Sequence, residues 1–231
     1  MRKTKTGIEG LDEMLGGGII EKRPYLVSGG PGAGKSIFGM QFLIEGAKHG
    51  ERGLFVTLEE PSSEIIENMK EFGWEFSNIE ILELLSKSGN GTWFVPKSFA
   101  DSELNILSIM DEIHTRVKEK KIKRIVIDSI TSLRSLFKTE FEIRKVMLSF
   151  MQFLADTGCT TLMLAESHKS TEVESFLARG VFILHVMKDK GSKKRAIEIE
   201  KLRGTDFDEQ LRPMKITKKG IVVYPMDALF K

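Results

Sequence analysis

Eight consecutive residues of this 231-residue chain have the types and spacing needed to hold a phosphate: Gly29, Gly30, Pro31, Gly32, Ala33, Gly34, Lys35 and Ser36. The pattern is a glycine, four residues, then Gly-Lys-Ser. Glycines without a Cβ let successive backbone N–H groups curl around phosphate oxygens. A helix starting at Lys35 would add its unpaired amides and the positive end of its dipole. Lys35 is placed to reach the β- and γ-phosphates, and the Ser36 hydroxyl to ligate Mg²⁺. The same glycines could serve as a plain turn between strand and helix. The run follows an apolar strand and opens an amphipathic stretch, however, which is the context a phosphate loop needs. ATP with Mg²⁺ is the expected ligand.

Such a loop needs partners. Asp128 closes the apolar run Arg124-Ile125-Val126-Ile127. At the carboxyl end of an adjacent parallel strand it would face the Mg²⁺ shell through water; the alternative is an Asp that caps the next helix or turn. Glu59 and Glu60 end another apolar run. A carboxylate beside the γ-phosphate could align the attacking water and take its proton, while acids just before Pro61-Ser62-Ser63 could instead favour a helix dipole. With Lys35, the two glutamates are the candidate catalytic groups. Glu166 and His168 sit where a fifth apolar run ends and are candidate sensors of the γ-phosphate. The four histidines have no metal-ligand spacing.

The elements that must position these residues follow from hydrophobic pattern. Short apolar β-rich runs at 25–28, 54–58, 79–84, 124–128 and 160–165 look like strands covered on both faces. Amphipathic stretches at about 36–49, 62–72, 102–118 and 140–155 lie between them. Strand alternating with helix predicts right-handed crossovers and a mostly parallel sheet. After residue 178 strands are predicted at 181–187, 196–203, 213–217 and 221–224, joined by turn-like segments, so antiparallel hairpins extend the core. Residues 86–101 are Gly/Ser-rich and read as a loop. The length suits one domain over residues 1–231.

Bulk properties narrow the classes. A formal charge of +2 is close to balanced and gives no strong vote for nucleic acid. The single cysteine, Cys159, allows no internal disulfide and reads as a buried strand-start residue, in keeping with a cytoplasmic protein. No apolar run reaches the ~20 residues of a membrane span, and the basic amino terminus lacks the apolar stretch of a signal peptide. The densest basic run, Lys188 to Arg195, could touch phosphate backbones or form a solvated hairpin turn.

Beyond the loop, the chain carries Thr6-Gly7-Ile8-Glu9-Gly10-Leu11-Asp12, Leu15-Gly16-Gly17-Gly18-Ile19, Thr57-Leu58-Glu59-Glu60, Phe72-Gly73-Trp74, Ile127-Asp128-Ser129 and Lys201-Leu202-Arg203-Gly204-Thr205. In this order it resembles a single-domain member of the KaiC-like branch of the RecA/RadA superfamily of ATPases. The resemblance implies a RecA-type α/β fold, ATP hydrolysis that is often slow, and ring or filament homo-oligomers with ATP at subunit interfaces. It also implies that Glu59 and Glu60 are the catalytic pair, and that Lys201, Arg203 and Thr205 act in trans on the neighbouring subunit's nucleotide. Strand parity puts Lys201 and Arg203 on one face, but Ile197 and Ile199 share it, so either the strand outruns the core or a bulge changes face near Glu200. A charged edge strand that discourages aggregation is the other reading. Two departures stand out: Phe207 where relatives carry a His, and Arg179 where an acid is common.

Three functions fit. One is a slow ATPase whose nucleotide state controls oligomerisation or partner binding. A second is a recombinase-like accessory protein binding single-stranded DNA, and a third is a nucleotide-binding scaffold with negligible turnover.

Overall fold

A computed structural model describes residues 1–84, 86–87, 93–94, 102–134, 137, 139–166, 172–189 and 191–229. The chain begins with β1 (Lys3–Thr4), α1 (Leu11–Met14) and β2 (Ile19–Ile20), and β1 pairs antiparallel with β2. Then come β3 (Pro24–Gly29), α2 (Lys35–Lys48), β4 (Arg52–Thr57), α3 (Ser62–Lys70) and β5 (Ile79–Glu83). The Gly/Ser-rich stretch contributes a short antiparallel pair, β6 (Ser86–Lys87) with β7 (Trp93–Phe94); the rest of it lies outside the described residues. The second half runs α4 (Ser102–Lys120), β8 (Ile122–Asp128), α5 (Ile130–Arg134), α6 (Glu140–Asp156), β9 (Thr160–Ala165) and α7 (Glu172–Leu177). It ends with β10 (Gly180–Asp189), β11 (Ser192–Leu202), β12 (Arg212–Thr217) and β13 (Gly220–Val223).

Among the described residues the main sheet has nine strands in the order β13-β12-β11-β10-β3-β9-β8-β4-β5. The six from β10 to β5 are parallel, and β11, β12 and β13 continue antiparallel. This is the expected α/β sheet with one difference. β10 belongs to the parallel core, because the short helix α7, which no periodicity signals, supplies the crossover from β9. Strand β9 also separates β3 from β8, so Asp128 is not on the strand next to the phosphate loop, as the sequence had suggested, but one further away.

Two apolar layers sandwich the sheet. One joins Leu11 and Met14 of α1, Phe38 and Phe42 of α2 and Ile65 and Met69 of α3 to strand residues such as Tyr25, Val126 and Phe182. The other joins α4 and α6, through Ile109, Ile113, Phe150 and Leu154, to Leu54, Ile125 and Met163. Strands buried on both faces explain the continuous apolar runs. Arg124, near the start of β8, is a buried cation whose three nitrogens all donate. It donates to Glu51 Oε2 at 2.6 Å, to the carbonyls of Lys5 and Phe42 at 2.9 and 2.8 Å, and to Thr4 Oγ1 at 2.6 Å. It thereby ties the amino-terminal strap to β8. Trp74 stacks on Phe72 at 4.7 Å, which accounts for the Phe-Gly-Trp run as packing. Cys159 is buried, and burial pushes its thiol above the ordinary range.

Candidate functional site

The carboxyl ends of β3, β9, β8 and β4 meet at one edge of the sheet. The loop after β3 turns through left-handed glycines, Gly32 at φ 70° and Gly34 at φ 104°, which no side chain adopts without strain. Gly34 is the N-cap of α2, so the first amides of a fourteen-residue helix open onto the loop. The Lys35 ammonium folds back to the carbonyls of Gly29 at 3.0 Å and Gly30 at 3.4 Å. The Ser36 hydroxyl donates to Asp128 Oδ2 at 2.6 Å, across the gap left by the intervening strand.

Asp128 is partly buried, and desolvation pushes its carboxyl up to about 6. The Ser36 hydrogen bond opposes that rise, Glu59 and Glu60 add to it, and Lys35 opposes it weakly. A carboxylate held this high sits among acids with too little positive charge nearby, which is the electrostatic complement of a cation.

Glu59 and Glu60 follow β4, which pairs with β8 so that Thr57 lies opposite Asp128. Their surroundings differ. Glu59 Oε1 accepts the Ser129 hydroxyl, and the Ser132 hydroxyl at 2.6 Å, both from the start of α5. The Glu60 backbone is pinned by Thr57 Oγ1, which takes its N–H at 3.2 Å and donates to its carbonyl at 2.6 Å. Among the described residues the Glu60 carboxylate has no hydrogen-bond partner. Glu166, beyond β9, lines the same cleft and donates its backbone N–H to Thr131 Oγ1 at 3.1 Å. His168 lies outside the described residues.

These groups enclose a cleft of 530 Å³ lined by Pro31, Gly32, Lys35, Ser36, Asp128 and Glu166, with Ile65, Met69 and Phe72 forming an apolar wall beside the loop. A wider hollow of 990 Å³ lies at the opposite ends of the strands, among Lys22, Arg52 and Lys121, and contains none of the loop. The chemistry converges on the smaller one. Sequence reasoning had given three contributors no role in the cleft. Ser129 closes the Ile127-Asp128-Ser129 run without a role read for it, and Ser132 carries no motif. Arg195, in the basic run, donates through Nε to the Gly32 carbonyl at 3.1 Å. The hairpin of β10 and β11 rises at the phosphate edge, so one cation of that run belongs to the loop.

Lys201, Arg203 and Thr205 are not part of this chain's own cleft. Lys201 pairs with Val181 at the start of β10, whereas Gly29 of the loop pairs with Leu184 further along it. The register slips between Val181 and Phe182, which face Lys201 and Ile199, so Glu200 is the extra residue of a bulge. Parity changes there: Ile197, Ile199 and Leu202 are buried, while Lys201 is partly exposed and Arg203 exposed. Lys201 donates to the Ser175 carbonyl, and to that of Phe176 at 3.2 Å; Arg203 Nη2 reaches the same Phe176 carbonyl at 3.1 Å. Burial and the neighbouring Arg203 and Arg179 draw the Lys201 ammonium below the usual lysine range, partly offset by Glu200. Thr205 follows, half-buried.

A family description, "ATPase: KaiC", matches residues 4–228. A UPF0273 protein of Pyrococcus furiosus is 35% identical over 97% of this chain and 95% of its own. The circadian clock protein KaiC3 of Synechocystis is 33% identical over 99% of this chain, which spans 47% of that protein. A crystal structure of a KaiC-like protein from Pyrococcus horikoshii superposes with a TM-score of 0.81 at 34% identity, over 97% of this chain and 99% of that one.

Proposed function

Because the chain belongs to the KaiC family of ATPases, we propose that it binds ATP with Mg²⁺ in the 530 Å³ cleft, hydrolyses it slowly, and couples its nucleotide state to homo-oligomerisation or partner binding. The observation that carries this is the junction of Ser36 and Asp128 at the mouth of the glycine loop. Two oxygen donors meet where a triphosphate lying on the loop would present its β- and γ-oxygens.

The residues fit a magnesium ion. Among the described residues no three His, Cys, Asp or Glu side chains form a metal cage, and Mg²⁺ does not require one. It keeps several waters and takes one or two protein oxygens with the phosphates. Ser36 Oγ would be the direct ligand and Asp128 would hold the ion through water. Bound there, the ion supplies charge to the phosphate oxygens.

Lys35 would exchange the Gly29 and Gly30 carbonyls for the β- and γ-phosphates, and the α2 amides would hold the β-phosphate. Phe72 and Met69 offer an apolar surface to the base. Glu60 is the carboxylate free to orient a water in line with the γ-phosphate and to take its proton as the new P–O bond forms and ADP leaves. Glu59, gripped by two hydroxyls, fixes the turn that carries its neighbour. Glu166 lies close enough to the cleft to register the γ-phosphate. Lys201, Arg203 and Thr205 would complete the site from an adjoining copy, which the distance from their own loop supports. Slow turnover rests on the family resemblance. The decisive test is ATP turnover in the wild type and in the joint Glu59→Gln, Glu60→Gln variant; equal measurable rates would remove hydrolysis by this pair, and no turnover in the wild type would leave the scaffold reading.

A further inference from the structure

Glu174 is the one fully buried acid among the described residues, and it lies in α7, a helix of six residues. Both of its carboxylate oxygens accept from Arg134 Nη1, each at 2.9 Å. Arg134 is the last residue of α5, and it also reaches Glu140 Oε1 at 3.4 Å. A helix this short has no stability of its own, so its place is dictated by what grips it. An apolar contact would hold α7 to the core at lower cost than a desolvated ion pair. What the pair adds is direction, since it sets where α7 lies along and across α5. That matters because two carbonyls in the last turn of α7 receive the cations, those of Ser175 and Phe176 taking Lys201 and that of Phe176 also taking Arg203. The other end of α5 is set by Glu59 through Ser129 and Ser132. One five-residue helix is thus fixed by the acid of the cleft at its start and fixes α7 at its end.

We propose that Arg134 and Glu174 are positioning residues for catalysis in trans: the pair places α7 so that its terminal carbonyls aim Lys201 and Arg203 at the nucleotide of a neighbouring copy. This rests on the trans reading above. Lys201 and Arg203 are long side chains with many rotamers, and an ammonium or guanidinium anchored by part of its donors loses little on meeting a phosphate with the remainder. Without the pair, α7 keeps, among the described residues, only the bonds from Lys201 and Arg203 themselves, the backbone tie of Arg179 to Pro24 beyond its end and apolar contacts that tolerate sliding, and the two cations lose their common aim while the glycine loop of the same chain is untouched.

The test uses the full-length protein in mixtures. Glu174→Gln should lower ATP turnover about tenfold, the scale on which residues remote from a ligand modulate it, with KM for ATP unchanged. Lys35→Ala should be inactive but retain intact cations. Mixed in equal amounts, the two should recover turnover per Glu174→Gln chain about fivefold, because half of the head-to-tail neighbours are then competent donors. A defect confined to general folding would not be rescued this way. The control mixes Lys35→Ala with the Lys201→Ala, Arg203→Ala double variant. If the control recovers and the Glu174→Gln mixture does not, the positioning role is overturned while trans catalysis stands. If the control itself stays inactive, trans catalysis fails and the proposal with it. Should Glu174→Gln not fold, Arg134→Lys, which keeps the charge but not the guanidinium geometry, carries the same mixing test with the same outcomes.

Discussion

Ser36 and Asp128 stand 92 positions apart in the chain, yet a hydroxyl proton joins them at 2.6 Å. A proton there occupies the space between two oxygens that a divalent cation would otherwise bridge directly or through water. Magnesium would take the place of this hydrogen bond, and a proton on the Asp128 carboxyl itself, which burial favours, would compete with the ion.

That competition has a pH signature. Folding raises the Asp128 carboxyl from 3.8 to about 6. The folded state then binds the proton more tightly than the unfolded chain, so the ligand-free protein loses stability as pH rises from about 4 to 6. The full effect, up to about 3 kcal/mol before discounting for partial solvent access, is reached above pH 6. Magnesium bound beside Asp128 would relieve that cost. The rise in Tm caused by MgATP should be larger at pH 7.5 than at pH 5.5, and Asp128→Asn should flatten the difference. Equal rises in the wild type at both values would refute the assignment of Asp128 to the ion.

The two glutamates should separate kinetically. Glu60→Gln should lower kcat by about a hundredfold, the usual scale for loss of a general base, with KM for ATP little changed. Glu59→Gln should cost less, since an amide oxygen can still accept from Ser129 and Ser132. Steady-state rates at saturating ATP decide this, and the reverse order would exchange the roles.

Completing the site from a second copy predicts assembly. Light scattering should find a mass above that of one chain in the presence of MgATP, and Lys201→Ala with Arg203→Ala should reduce turnover at least tenfold while leaving nucleotide binding intact. A strictly monomeric wild type with MgATP present would contradict the arrangement.

Stability rests partly on a residue far from the cleft. Arg124→Met removes a buried cation from four acceptors and leaves Glu51 unpaired. A loss of about 3 kcal/mol is expected, read as a lower urea midpoint with an unchanged slope, and turnover per folded chain should stay the same.

Single-stranded DNA should not change the ATP turnover. Arg195 of the basic run is already engaged by Gly32. Salt-dependent binding together with DNA-stimulated hydrolysis would instead support the accessory role in recombination.

Much of this was legible in the residues. The glycine loop, Asp128 and the double glutamate declare themselves because each sits at the end of an apolar run, and such runs are the strands of a sheet covered on both faces. Even the bulge at Glu200 could be anticipated, since Ile199 and Lys201 cannot both keep to one face. What stayed hidden has physical reasons. Helices α5 and α7 have five and six residues, too few for a helical period to show. Strand order is set by crossovers rather than by composition, so nothing in the sequence placed β9 between the loop and Asp128. Ser129, Ser132 and Arg134 acquire their roles only from α5, and Arg195 only from the height of its hairpin.

That intervening strand has a further effect. Neighbouring strands lie about 4.8 Å apart, so the loop-bearing strand and the acid-bearing strand are spaced by about 10 Å. Side-chain exchange can alter the charge or reach of the groups on either bank, but not the width of the channel between them. The dimension is quantised by the topology: a variant of this fold could bind a different anion by changing residues, but only a rearranged sheet could make the gap one strand narrower.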